Sequence, residues 1–231
     1  MNKEERLDYI FGNHKGEYIA NRFGWLDALL SDIRTLIDGG QGFVKGEIKP
    51  TLEGSHGAGN ISIPILVCTG LELASKLYTG NKHNATDSVK KFIQEFFPND
   101  GKKLPGVLWK GIRNGTNHAF IPNTIEVSKN HFQFSFFVSQ SIDKEPSCVT
   151  KSNGEIITIY INSIQFYHVL KQAIDKYKSK LETDENLQCD FIAAWRSKQE
   201  PYNYTNDPLI PIEVRYLLEK LRHSNRLNLF V

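Results

Sequence analysis

The sequence predicts a mainly α fold: an antiparallel four-helix bundle over residues 1–121, with a small antiparallel β-meander and additional C-terminal helices over residues 122–231 packed on it as one compact unit. Three observations predict it. Apolar residues recur at helical spacing in successive stretches before residue 121. The links between those stretches are fairly short and rich in glycine or proline, which favours antiparallel neighbours. After residue 122 the apolar period changes to two. A chain of 231 residues is long enough to bury a core without disulfides or metals to hold it.

The elements follow in order. Between Ile19 and Ile37, Leu26, Leu29, Leu30, Ile33 and Ile37 fall on one helical face, and the glycines of "DGGQG" are expected to end that helix. The link "EGSHGAGN" leads to residues 61–78, whose apolar residues occupy most of the circumference, as a central helix with neighbours on several sides requires. "NATDSVKKFIQEFF" offers Asn84 and Thr86 as caps, places Val89, Phe92, Ile93 and Phe96 on one stripe and stops at Pro98. Pro105 suits the first turn of a fourth helix, and Pro122 closes it. Phe132, Phe134 and Phe136 then alternate with polar residues, and "EIITIYI" follows an Asn153-Gly154 turn. Ser163 is expected to cap a helix carrying Phe166, Leu170, Ala173, Ile174, Tyr177 and Leu181, with further helices near 185–198 and 211–223. "KQEPYNYTNDPLIP" is the best linker candidate between the last two.

Charge excludes one class of function. With 28 Lys and Arg against 26 Asp and Glu, the chain lacks the strong positive field of a protein that coats nucleic acid nonspecifically, so any RNA contact must be local. Cys68, Cys148 and Cys189 are an odd count without paired spacing, which fits a reducing cytoplasm. The charged start is unlike a secretion signal, and the longest apolar segment is interrupted by Pro64, Glu72 and Lys76, so no membrane span is expected. The seven histidines show no His-x-x-x-His spacing and the cysteines no Cys-x-x-Cys, so neither a metal nor a cofactor is expected.

The densest chemistry lies in "LWKGIRNGTNHAF", residues 108–120. On an α-helix advancing about 100° per residue, Asn117 falls about 40° from Arg113, Lys110 about 60°, Asn114 about 100° and His118 about 140°, while Leu108, Ile112, Gly115 and Ala119 lie opposite. An amphipathic helix shows such a face to solvent without any activity. Against that reading, exposed faces favour Lys and Glu, whereas Asn114, Gly115, Thr116, Asn117 and His118 are an unbroken row of mediocre or poor helix formers.

Arg113, Asn114, three residues and His118 match the arginine, polar residue, spacer, histidine signature of the HEPN superfamily, which this chain resembles over about residues 19–121. A strongly apolar helix, "LVCTGLELASKLYTG", precedes the signature as it does in that superfamily. The resemblance implies a metal-independent endoribonuclease acting as a homodimer, with signature helices facing each other across a two-fold axis. In that arrangement Arg113 holds the scissile phosphate, His118 moves a proton and Asn114 orients either group, with Asn117 beside them. The resemblance also implies a toxin or defence effector held in check by an antitoxin or regulatory protein. Glu72 and Lys76, an i,i+4 pair on the central helix, are similar to a Glu-x-x-x-Lys element of some members and become supports for Arg113 or His118 if they face the signature helix. A simple intrahelical ion pair explains them as well. The competing reading is a non-catalytic dimerisation or RNA-binding scaffold module.

Other features carry less. "GSHGAGN" before the central helix lacks the Lys-Ser/Thr of a phosphate loop and reads as a connector. Lys171, Lys176, Lys178 and Lys180 either guide RNA or form a solvated helix face. Trp25, Trp109 and Trp195 read as core or interface anchors, and Trp109, near the polar arc, is the one able to pack on a partner chain or a base.

Overall fold

The computed structural model of the protein describes residues 1–12, 22–44, 62–98, 102, 105–113, 125–127, 132–139, 149–152 and 156–199, and over these it is mainly helical. A capping box opens the chain. The Asn2 side chain accepts from the Glu5 backbone N–H at 2.9 Å, and the Glu5 carboxylate accepts from the Asn2 backbone N–H at 2.8 Å. Two of the donors that every helix start leaves orphaned are thereby satisfied, and helix α1 runs Lys3–Phe11. The Asn-x-x-Glu spacing was there to be read in the sequence, although apolar periodicity alone passes over so short and charged a helix.

Helix α2 spans Gly24–Val44. It begins later than its apolar stripe suggests and runs through Gly39, Gly40 and Gly42 instead of stopping there. Each glycine costs a helix only about 1 kcal/mol relative to alanine. Tertiary packing of Leu26, Leu30, Ile33 and Ile37, all buried, is larger than that.

Helix α3, Ser62–Tyr78, is the centre of the fold. Ile63, Val67, Cys68, Leu71, Ala74 and Leu77 are buried on it, and it packs against α2, against α4 (Ala85–Phe96) and against α6 (Ser163–Leu181). The short helix α5, Pro105–Leu108, follows α4. Thus the long fourth helix packed around α3 comes from the C-terminal half of the chain. Gly70 makes the close approach possible, because a Cβ there would stand 3.0 Å from Leu29 Cδ2 and 3.1 Å from Leu170 Cδ2.

The caps of the later helices divide. Asn84 caps α4 as its sequence suggests, accepting from the Asp87 backbone N–H at 2.9 Å, a contact worth about 1 kcal/mol. Ser163 does not act through its side chain: its Oγ is buried with no hydrogen-bond partner among the described residues. Strand β4 (Ile156–Asn162) runs into α6 with no residue between them, so Ser163 is packed as part of a strand-to-helix junction. Helix α7, Glu185–Gln199, is entered through Asp184, whose carboxylate accepts from Leu187 N at 3.2 Å.

Aromatic side chains gather where α3, α4 and α6 meet. The Tyr177 ring lies 5.8 Å from Tyr78, 5.8 Å from Phe92, 5.6 Å from Phe96 and 6.2 Å from Phe23, mostly in tilted or edge-on geometries that suit ring quadrupoles.

The strands correct one expectation. Strands β1 (Ile125–Val127), β2 (Phe132–Ser139), β3 (Val149–Ser152) and β4 form a sheet of order β1-β2-β4-β3. The β3–β4 pair is antiparallel across the Asn153-Gly154 position, but β2 and β4 are parallel, with Phe134 opposite Ile157 and Phe136 opposite Ile159. An antiparallel meander would place β3 between them. The nearly continuous apolar run of β4, "IITIYI", suits an interior position, whereas β3, "VTKS", is short and polar and takes the edge.

Met1–Ser197 form one compact unit and Lys198–Val231 a second, so the division falls where "KQEPYNYTNDPLIP" begins and the first unit runs across residue 121. The helix expected near 211–223 lies outside the described residues.

Candidate functional site

Helix α5 gives way at Trp109 to a π-helical turn, Trp109–Arg113. A π turn closes i→i+5 bonds and holds more residues per revolution than an α-helix. The α-helical angles that describe residues 108–119 as one face therefore do not apply through Arg113. Such turns are rare and occur often at functional sites. Asn114, Asn117 and His118 lie outside the described residues, so of the Arg-Asn-x-x-x-His signature the structure places Arg113.

The π turn contacts α3, α4 and β2. Its first residue, Trp109, is only 4% exposed and forms part of the core. That burial withdraws Trp109 from contact with a nucleic-acid base. Its last residue, Arg113, is 28% exposed and lies against α3.

Glu72 meets Arg113 there. Arg113 Nη2 stands 3.7 Å from Glu72 Oε2, while the other carboxylate oxygen, Oε1, stands 3.3 Å from Lys76 Nζ. The i,i+4 pair expected from the sequence is present, and it is extended by a third charge from a different element. Glu72 is 25% exposed and Lys76 30%, so the three groups form a partly covered cluster. A second contact was not expected from the sequence: the Arg113 guanidinium carbon lies 5.7 Å from the centroid of the Trp109 ring, within the range of a cation–π contact. The signal for it was the four-residue spacing of an aromatic and an arginine.

The arrangement holds a planar cationic fork beside a carboxylate of the central helix and partly open to solvent. Such a group binds phosphate or carboxylate oxygens in a bidentate manner. No group of three or more His, Cys, Asp or Glu side chains placed to hold a metal ion occurs among the described residues. No helix among them is long and apolar enough to cross a membrane.

The lysines of α6 sit largely in ion pairs. Lys171 bonds Asp175 at 2.7 Å, Lys180 bonds Glu95 at 2.6 Å, and Lys178 lies 4.0 Å from Asp27 and over the Phe11 and Phe23 rings. This favours a paired helix surface over an RNA-guiding stripe. Trp25 is 55% exposed at the start of α2, and Trp195 stacks on Phe191.

In comparisons with known proteins, no family model, no curated protein and no solved structure matches the chain.

Proposed function

We propose that the protein is a metal-independent endoribonuclease of HEPN type that cleaves RNA at a composite site in a homodimer. Its biological role would be that of a cytoplasmic toxin or defence effector restrained by an antitoxin or other regulatory protein. The observation that carries this reading is the seating of Arg113: the arginine of the signature ends a π turn and lies 3.7 Å from Glu72 of the central helix, while its side chain stays partly exposed. An ordinary solvated arginine on a helix face has no need of either arrangement.

The chemistry follows from the residue types. Arg113 grips the scissile phosphate and stabilises the charge that develops on its oxygens. The ribose 2′-oxygen attacks phosphorus, its proton passing to a neutral imidazole. The P–O5′ bond breaks, and a cationic imidazole returns a proton to the departing 5′-oxygen. His118 supplies the imidazole, and Asn114 and Asn117 orient it or the phosphate. Products are a 2′,3′-cyclic phosphate and a 5′-hydroxyl. A second copy of the chain brings its own Arg113 and His118 to the two-fold axis, so that each end of the interface completes a site.

The decisive experiment incubates the full chain with labelled RNA in excess chelator, beside Arg113→Ala and His118→Ala. Cleavage by the native protein and its loss in both folded variants supports the reading, and full activity in both variants ends it. Specific RNA binding without products would instead favour the non-catalytic dimerisation or RNA-binding scaffold, for which the Glu72–Arg113–Lys76 cluster is purely structural.

A further inference from the structure

We infer that the outer face of helix α2 is a docking surface for an amphipathic α-helix of another protein, one that carries a lysine or arginine between its apolar residues. Trp25 is 55% exposed and Leu36 is 36% exposed, and apart from Met1 they are the large apolar side chains left exposed among the described residues. Both lie on α2. Eleven residues apart, they stand about 16 Å from each other along one side of that helix. Leu29 and Asp32 complete the row: positions 25, 29, 32 and 36 follow at spacings of four, three and four, by which one helix packs along another. The buried row of α2, Leu26, Leu30, Ile33 and Ile37, has the same spacings one residue further on. Helix α2 thus carries two rows built alike, and the fold covers the inner one. Leu29 is half-buried with its Cδ2 close to Gly70 of α3, so the outer row starts from the edge of the core.

Charge decides what the outer row accepts. Of the three acidic residues of α2, Asp38 is paired with Arg34 at 2.9 Å and Asp27 lies 4.0 Å from Lys178. Asp32 is exposed and makes no ion pair or hydrogen bond among the described residues. It is also the one acid set within the apolar row, near its middle. A helix laid on Trp25 and Leu36 covers Asp32 as well, and a covered carboxylate without a cation is costly. A second copy of this chain is a poor match: paired in parallel, two α2 rows set Asp32 against Asp32, and paired antiparallel they bring both carboxylates to the centre of one contact. Like charges so placed oppose association. A different helix with a Lys or Arg at that level supplies the missing cation and covers the two exposed side chains together. The inference is independent of the chemistry at Arg113.

The test titrates the full chain with two fluorescein-labelled helical peptides, read by anisotropy. Each peptide carries a row of leucines at spacings of four, three and four, with one interior position of the row replaced by Lys in the first and by Glu in the second. The lysine peptide is expected to bind the native chain with a Kd about tenfold or more below that of the glutamate peptide, and Asp32→Lys is expected to reverse the order. Trp25→Ser and Leu36→Ser change exposed sites, so thermal melting should stay near that of the native chain while each weakens the lysine peptide about tenfold. Binding of neither peptide, equal Kd values for the two, or an order that Asp32→Lys leaves unmoved overturns the inference. So does self-association through the same row, seen by light scattering as a dimer of the native chain that Trp25→Ser takes apart.

Discussion

Glu72 and Arg113 are joined across the contact between α3 and the π turn, Oε2 to Nη2 at 3.7 Å, although they are distant in sequence. Glu72→Gln keeps the shape of the side chain and removes its charge. Both partners are about one-quarter exposed, so solvent screens the pair and the stability change should stay within about 1 kcal/mol. RNA cleavage should fall several-fold, because the fork loses its carboxylate contact with α3. Thermal melting measured beside cleavage separates the two effects, and unchanged cleavage would show that Arg113 needs no support from α3.

Tyr177 supplies a prediction about the core. Its hydroxyl is buried with no hydrogen-bond partner among the described residues, while its ring is enclosed by Phe23, Tyr78, Phe92 and Phe96. A buried unsatisfied polar group costs about 1–3 kcal/mol. Tyr177→Phe should therefore leave stability at pH 7 unchanged or raise it by about 1 kcal/mol. Urea unfolding checks this, and a clear loss would reveal a partner for the hydroxyl.

The same residue governs an alkaline limit. Burial, and then the nearby charge of Asp190, push the Tyr177 hydroxyl well above its ordinary value of 10.0. The folded state thus holds this proton more tightly than the unfolded chain does. Its contribution is fully present below pH 10 and is lost as pH rises beyond that value. Tyr177→Phe should flatten the fall in stability above pH 10, as followed by denaturant midpoints across that range.

His168 sets an opposite slope on the acid side. Desolvation, followed by the positive charges of Arg34 and Lys171, lowers its affinity for a proton below the ordinary value of 6.5. The neutral ring is preferred in the fold, so stability is intact above pH 6.5 and declines as pH drops through the folded value. Replacing His168 with Gln should reduce the decline below pH 6.5. An imidazole titration by NMR that returns an ordinary or raised value would contradict it.

Gly70 tests the helix crossing. Adding a methyl group meets Leu29 at 3.0 Å and Leu170 at 3.1 Å, side chains from two other helices. Overpacking of this kind costs about 1–3 kcal/mol, against about 1 kcal/mol gained in helix propensity. Gly70→Ala should be net destabilising by about 1 kcal/mol, measured by urea unfolding.

Local signals were the most legible part of the fold. The Asn84 cap, Pro105 at the start of α5 and the all-round apolar character of α3 are properties of neighbouring residues, and they are where the sequence places them. Terminations were less legible, since packing carries α2 past glycines that would end an isolated helix. Strand order was illegible, because alternation identifies strands but says nothing of which lie side by side. At the candidate site, the Glu72–Lys76 pair could be seen as an i,i+4 spacing, whereas its link to Arg113 depends on how two elements pack. The π turn itself has no simple periodic signature, so the helical ruler fails at Arg113. Asn114, Asn117 and His118 lie beyond the described residues.

Because α6 covers one flank of α3 and brings Tyr177 into the aromatic centre, a fragment cut after residue 121 would carry the whole signature yet leave its central helix naked on that side. Strand β2, which touches the π turn, would be lost in the same cut. The segment bearing Arg113 is consequently not a detachable cassette: it draws its walls from sequence on both sides of it, and grafting or truncation must carry both.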